Sequence, residues 1–330
     1  MATCTDNPRD LTPDLPVVVI LGLTATGKTG LALALGGRFD LEIVNADSRY
    51  LYRGMDIGTA KPTAEELAAI PHHLVDTLEP DEPYALALFL DDAFAAIEDI
   101  GSRGKLPVVV GGTPQYLRAL IEGWQTPRVP PDEELRARLE QDPVEDLYQR
   151  VREVDPESAE RIGPTNARRL IRALEVWEKS GEPLSAQQGK YPPPYRTLVI
   201  GLQLDRDVLY ARIDARARWM FANGLLDEAR ALLRYDASLP SMSAIGYPEA
   251  RAVVQGELTV EEAIEQTSYA THRYARHQQT WYRRFEGVRW FDAGEEGFAE
   301  AVVAGVSELL PSSNYKGPAC PSLQPDSRKK

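Results

Sequence analysis

Cysteine is almost missing from this chain. Its 330 residues hold two, Cys4 and Cys320, one in each terminal tail. That excludes a disulfide framework and a cysteine-based metal site. His72 and His73 stand side by side without the spacing of a paired-histidine metal site, so they read as structural. No run approaches the ~18 apolar residues of a membrane span. Met1 to Pro16 is polar and proline-bearing, with no apolar h-region. No signal peptide is expected, and the default compartment is the cytoplasm. Positive charge is in deficit, with 37 Lys and Arg against 50 Asp and Glu and a net charge of −13. This argues against a non-specific nucleic-acid coat, though not against a local basic groove. No internal repeat is present. What remains is ample for folding: 43% hydrophobic residues over 330 positions suit one large domain or a core with a second unit.

The chain is organised around Val17-Val-Val-Ile-Leu-Gly-Leu-Thr-Ala-Thr-Gly-Lys-Thr29. A buried strand runs into Gly22, a tight loop follows, and an alanine- and leucine-rich helix starts at Lys28. The stretch fits G-x-x-x-x-G-K-[ST] in full. Backbone N–H groups of Gly22, Thr24, Ala25, Thr26 and Gly27 would form a nest for phosphate oxygens at a helix N-terminus. Lys28 would reach the terminal phosphate and the Thr29 hydroxyl would hold a Mg²⁺. Alone, the motif says phosphate. It names neither a nucleotide nor phosphoryl transfer.

Residues 1–15 read as a loose tail. Leu41–Ala46 is a second strand, ending in Asp47-Ser48 and a long loop to Pro62. Thr63 with Glu66 makes a capping box. Ala85–Ile100 is helical, Leu106–Thr113 is a third strand, and Tyr116–Ile121 is helical again. Strands alternating with helices predict a parallel sheet, and ligands bind outside the carboxyl ends of such strands. Gln125–Pro131 and Lys190–Pro194 are proline linkers that bracket a charged helical insertion, about residues 127–196. The α/β core then resumes with a strand at Thr197–Gln203. A helix pair over Asp207–Leu233 breaks at Asn223-Gly224. A helix capped by Thr259 and Glu262 runs to about Phe285, followed by a strand at Val288–Phe291 and a helix at Ala299–Leu310. Residues 311–330 have the composition of a disordered tail. The expected architecture is a P-loop α/β core, 16–126 and 197–310, with the helical insertion between its halves.

Several residues could carry chemistry. Asp47, at the end of the second strand, suits a general base or a water-mediated metal ligand, and equally a turn cap. Gly111-Gly112-Thr113 offers close backbone approach and a hydroxyl donor, or a turn that needs small residues. Arg161, Arg168, Arg169 and Arg172 lie in a window, Arg161 to Arg172, without an acid. Arg273, Arg276, His277, Thr280 and Arg284 fall on one helix face, with Trp281 and Tyr282 among them. Arginines interleaved with aromatics suit RNA phosphates and bases. A solvated face is the alternative.

Five stretches together resemble the tRNA dimethylallyltransferase family: Gly22–Thr29, Asn45-Ala-Asp-Ser48, Tyr52-Arg-Gly-Met-Asp-Ile-Gly-Thr-Ala-Lys-Pro62, Gly111-Gly-Thr113 and Arg168-Arg-Leu-Ile-Arg-Ala-Leu-Glu175. Ala244-Ile-Gly-Tyr247 and Arg276-His-Gln-Gln-Thr-Trp-Tyr-Arg283 extend the likeness, which covers about residues 16–292. The Met-Asp-Ile-Gly-Thr-Ala-Lys-Pro run is far more specific than the phosphate loop. The resemblance implies a P-loop core and a prenyltransferase. It would move the dimethylallyl group of dimethylallyl diphosphate to the exocyclic amine of the adenosine 3′-adjacent to the anticodon, releasing diphosphate. It implies Asp47 as base, Thr113 on the diphosphate near the breaking bond, and Arg216 with Lys28 neutralising the leaving group. The loop Gly22 to Thr29 would bind diphosphate, with Mg²⁺ on Thr29 and no ATP. The target base would be flipped into the site. Contacts to the anticodon stem-loop would come from Asp47, Ser48, Arg49, Tyr50, Arg136, Arg168, Arg169, Arg172, Gly246 and Tyr247. The late helix would add Arg273, Arg276, His277, Gln278, Thr280, Trp281 and Arg283. The insertion would clamp the stem-loop, and the enzyme would act as a monomer.

Tyr50 stands where many members have glutamine, Pro248 replaces a basic or polar residue, and Pro114 stiffens a helix start. Competing readings are an isopentenyltransferase acting on free AMP, a P-loop small-molecule kinase and a non-catalytic RNA-binding protein. The long insertion and the arginine-rich late helix weigh against the first, and the lack of a clear nucleotide lid against the second.

Overall fold

A computed structural model describes residues 9–310. Cys4, Cys320 and the expected disorder of 311–330 lie outside the described residues. The elements follow in chain order. The first half holds β1 (Pro16–Gly22), α1 (Lys28–Gly36), β2 (Leu41–Asn45), α2 (Ala64–Ala69), β3 (His72–His73), α3 (Leu86–Ser102), β4 (Leu106–Val110), α4 (Pro114–Ile121) and β5 (Trp124–Gln125). Next come α5 (Glu133–Leu139), α6 (Val144–Val154), α7 (Pro156–Ile162), α8 (Ala167–Ser180), β6 (Gly189–Lys190) and β7 (Arg196–Gln203). The chain then forms α9 (Arg206–Ala222), α10 (Leu225–Ala231), α11 (Tyr247–Val254), α12 (Val260–Tyr282), β8 (Val288–Asp292) and α13 (Phe298–Leu309).

Six strands form one sheet in the order β3-β2-β4-β1-β7-β8, and every pairing in it is parallel. β1 and β4 are continuous apolar runs because strands of a parallel sheet are covered on both faces. β1 sits near the middle, with Val18 opposite Val108 on one side and Leu198 on the other. An apolar cluster of β1, α1, β2, β7 and α13 holds Ile20, Leu35, Phe39, Ile200 and Val306, all at most 1% exposed. The predicted P-loop-like parallel α/β fold is therefore present.

The described residues divide into two compact units. One comprises 9–10, 84–91 and 119–193; the other comprises 11–83, 92–118 and 194–310. The first is mainly helical, with its own core of Leu135, Leu147, Val151, Leu170 and Leu174 from α5, α6 and α8. Asp132, Asp155 and Asn166 cap α5, α7 and α8 through their side chains, so the breaks at Asp142-Pro143, Asp155-Pro156 and Gly163-Pro164 separate its helices. The proline linkers are not wholly irregular. Trp124–Gln125 and Gly189–Lys190 pair antiparallel, a two-residue ladder too short to leave a periodic signal.

Residues 11–15, read as part of a loose tail, are tied to the sheet unit. Thr12 donates from N and Oγ1 to the Glu98 carboxylate at 3.0 and 2.6 Å, and Asp14 N donates to Pro194 O at 2.9 Å. No helix among the described residues is long and apolar enough to cross a membrane.

Candidate active site

The phosphate loop joins β1 to α1. Gly27 at its end has φ 94° and Ala25 has φ 63°, left-handed conformations that turn successive N–H groups inward. Thr26 is 1% exposed, and its hydroxyl donates to Leu23 O at 2.8 Å, bracing the loop. The Lys28 ammonium donates to Gly22 O and Leu23 O at 3.0 and 2.9 Å. Burial pushes its pKa down to about 8, against an opposing pull from Asp47 and with a further push from Arg216. A cavity of about 480 Å³ opens over this loop. Thr24 to Gly30 form its base, Asp47, Tyr50, Gly111 and Gly112 one wall, and Arg212, Arg216 and Trp219 of α9 another.

Asp47 follows β2 in a turn held by Asn45, whose Oδ1 accepts from Asp47 N at 2.8 Å and whose Nδ2 donates to Asp47 O at 2.9 Å. Its Oδ1 accepts from Arg49 N at 3.0 Å. Its Oδ2 faces Gly112, where an added Cβ would sit 3.0 Å from Oδ2, 3.3 Å from Gln278 Nε2 and 3.7 Å from Lys28 Nζ. Only glycine leaves that space open. Asp47 thus forms a turn, as one reading of Asp-Ser expects, and it also lines the cavity.

Arg216 reaches the loop from α9, its Nη2 donating to Thr24 Oγ1 at 2.7 Å. Thr113 is placed differently from expectation. Its hydroxyl accepts from Ser48 N at 3.0 Å and donates to Ser48 Oγ at 3.2 Å, so it braces the Asp47-Ser48 turn. The cavity wall there is Gly111 and Gly112.

The residues expected on RNA divide. Arg273, Arg276, His277, Thr280, Arg283 and Arg284 are exposed on α12 and its end, with Trp281 partly so. Arg276 donates to Tyr210 OH at 3.1 Å, and His277 meets Trp281 edge-on. Arg168 and Arg169 are exposed at the start of α8. Others are spent inside the fold. Arg136 clamps Glu175 through Nε and Nη2 at 2.8 and 3.0 Å, and Arg172 pairs with the same carboxylate and donates to Val129 O. Glu175 is fully buried. Burial alone would raise its pKa, but Arg136, the Asp132 N–H and Arg172 outweigh it and hold the carboxyl below its usual value. Arg49 is bonded to Pro240 O and Ser243 Oγ. Tyr50 donates to Ala60 O at 2.8 Å while lining the cavity. Gly246 caps α11, its N–H held by Glu249. Tyr247 is 3% exposed and donates to Glu228 at 2.6 Å. Gln278 is 1% exposed and faces the phosphate loop, opposite the arginine face.

Sequence reading missed what holds the Met55–Pro62 loop. Glu228 of α10 accepts from the N–H groups of Asp56, Ile57 and Gly58. Lys61, 4% exposed, donates to Tyr52 O, Asp56 and Asp76. Much of this most specific motif is scaffold. His72 and His73 are structural as predicted, bonded to Ile70 O and Glu42.

Comparison with known proteins agrees with this geometry. Residues 50–285 match the family model of IPP transferases. The tRNA dimethylallyltransferase of Roseiflexus castenholzii is 52% identical over 305 residues, covering 91% of this chain and 100% of that protein. That of Thermomicrobium roseum is 48% identical, covering 92% and 94%. The crystal structure of the full-length tRNA isopentenylpyrophosphate transferase from Bacillus halodurans is similar with a TM-score of 0.67 at 38% identity, covering 90% of this chain and 97% of that one. A eukaryotic dimethylallyltransferase acting on tRNA gives 0.75 at 29% identity, covering 88% and 78%. The chain belongs to the IPP transferase family.

Proposed function

We propose that the chain transfers the dimethylallyl group of dimethylallyl diphosphate to the exocyclic amine of the adenosine 3′-adjacent to the anticodon in tRNA. The products are isopentenyladenosine and diphosphate. The observation that carries this is the convergence of the Asp47 carboxylate, the Lys28 ammonium and Arg216 on one cavity above a phosphate loop, in a member of this family.

The amine nitrogen attacks the allylic carbon, the carbon–oxygen bond breaks, and its electron pair leaves with the diphosphate. Asp47 takes the proton from the amine. The loop N–H groups, Lys28 and Arg216 stabilise the charge that grows on the departing oxygen. The amine is a weak nucleophile, so alignment and leaving-group stabilisation dominate the rate. Thr113 supports Asp47 through Ser48.

A divalent metal fits this donor set. Among the described residues no cluster of three His, Cys, Asp or Glu forms a cage. Mg²⁺ needs none, since it keeps several waters and binds through one or two protein oxygens plus substrate phosphates. The Thr29 hydroxyl is the protein ligand at hand. When bound, the ion supplies charge neutralisation on the diphosphate.

RNA meets the exposed α12 face in this reading. The helical unit offers Arg168 and Arg169 to the anticodon stem-loop. Arg136, Arg172, Tyr247 and Gln278 are assigned to internal structure. A cytoplasmic monomer is the expected form. A labelled-prenyl assay offering tRNA and AMP separately tests the reading: label enters tRNA, and transfer to AMP alone would overturn it.

A further inference from the structure

Gln278 is a neutral side chain, 1% exposed, on the inner face of α12. Its Oε1 accepts from Thr24 N of the phosphate loop at 2.9 Å, and its Nε2 donates to Gly112 O at 2.6 Å. One amide therefore joins the diphosphate cradle to the strand end that faces Asp47 Oδ2. Tyr274, one turn earlier on α12, donates to the same Gly112 carbonyl at 3.2 Å. The buried amide has both ends satisfied. Losing the amide would leave the Thr24 N–H without this acceptor and the Gly112 carbonyl with Tyr274 alone, at the cost of an unmade hydrogen bond in the loop.

We infer that Gln278 is a positioning residue for prenyl transfer, setting the distance between the leaving diphosphate on the Thr24 loop and the base Asp47 beside Gly112. The inference rests on the proposed function above. Misplacement by an ångström between reacting groups costs about 10²-fold in rate. The residue sits within the stretch Arg276–Arg283 that sequence reading gives to RNA, but its side chain points away from the exposed arginines.

Gln278→Glu makes the link titratable. The acceptor for Thr24 N is kept in both protonation states. The protonated acid still donates to Gly112 O. The carboxylate faces that carbonyl oxygen and Asp47, and draws Lys28 from its place. Burial and the nearby Asp47 raise the pKa of a carboxyl here, and Lys28 opposes them, so the pH profile is followed on both sides of the ordinary carboxyl range. Lys28, Asp47, Arg49, Arg216, Tyr274 and Tyr282 are the titratable and charged groups around it.

The test is steady-state transfer by full-length Gln278→Glu against the unaltered chain across pH, with KM for RNA measured in parallel. Relative to the unaltered chain, kcat/KM for dimethylallyl diphosphate should fall about 10²-fold in the carboxylate form and recover as pH is lowered, with KM for RNA unchanged. A loss that does not vary with pH, or a change confined to KM for RNA, overturns the inference. If the buried charge prevents folding, Gln278→Met carries the test. It should lose about 10²-fold in kcat/KM at every pH, and an unchanged kcat/KM overturns the inference. Binding of inorganic diphosphate, measured without RNA, separates the two claims. If the unaltered chain binds diphosphate but does not prenylate RNA, the functional reading fails, and pH-dependent weakening of binding in Gln278→Glu still supports the positioning role.

Discussion

Arg216 donates from Nη2 to the hydroxyl of Thr24 at 2.7 Å, placing a guanidinium from α9 against the phosphate loop of β1 and α1. Sequence separates the two by 192 positions. In the proposed reaction this contact would hold the cation beside the departing diphosphate, and such preorganisation lowers a barrier. Arg216→Gln should lower kcat/KM for dimethylallyl diphosphate by about 10²–10³-fold with tRNA binding retained. Steady-state kinetics with a parallel RNA-binding titration checks it; a loss confined to RNA affinity would count against the role.

Lys28 gives a pH signature. Burial lowers its pKa to about 8 in the ligand-free protein. Below that value the ammonium is present to meet the diphosphate, and above it the charge is lost. The kcat/KM for dimethylallyl diphosphate, which reports the free enzyme, should fall as pH rises through about 8. In Lys28→Arg that limb should vanish, on a lower plateau. For stability the sign is reversed. Between about 8 and the ordinary 10.5 the unfolded lysine binds a proton that the folded one lacks, so this group's contribution rises with pH across the window and is lost as pH falls through about 8.

Glu175 is the hub of the helical unit. Glu175→Gln removes the charge that Arg136 and Arg172 share. The expected cost is about 2–3 kcal/mol, below the full value for a buried pair because both arginines are partly exposed. Urea unfolding reads this directly. The carboxyl is held below its usual pKa, so its contribution is present above the ordinary 4.5 and lost as pH falls beneath it. An unaltered unfolding midpoint would contradict the assignment.

The α12 face predicts a salt effect. Arg273→Ala, Arg276→Ala and Arg284→Ala should each weaken RNA binding and reduce the slope of log affinity against log salt by about one. Arg172→Ala should lower stability and leave the slope alone. Binding titrations across salt check both, and an unchanged slope in the α12 variants would remove that face from the interface.

The sheet was legible because β1 and β4 are apolar runs ending in glycine. The capping boxes at Thr63–Glu66 and Thr259–Glu262 announced their helices, and both form as read. The loop from Gly22 to Thr29 was legible as a strand, a tight turn and a helix start, and it forms as read. The site was misread where side-chain direction decides. A window ending at Arg172 contains no acid, yet Glu175 lies one turn on and takes the charge. The period that gathers Arg273, Arg276, His277 and Arg284 on one side of α12 puts Tyr274, Gln278 and Tyr282 on the other. Tyr247 follows a glycine that invites a ligand contact, but its hydroxyl meets Glu228, a partner 19 residues away whose role no local pattern marks.

The most direct test of the account is transfer of labelled dimethylallyl from its diphosphate to an unmodified anticodon stem-loop. Two stem-loops are compared, one with adenosine 3′-adjacent to the anticodon and one without. Label should enter only the first, and in Asp47→Ala turnover should drop by about 10²–10⁴-fold while the stem-loop still binds. Label in both stem-loops, or full turnover in Asp47→Ala, would contradict it.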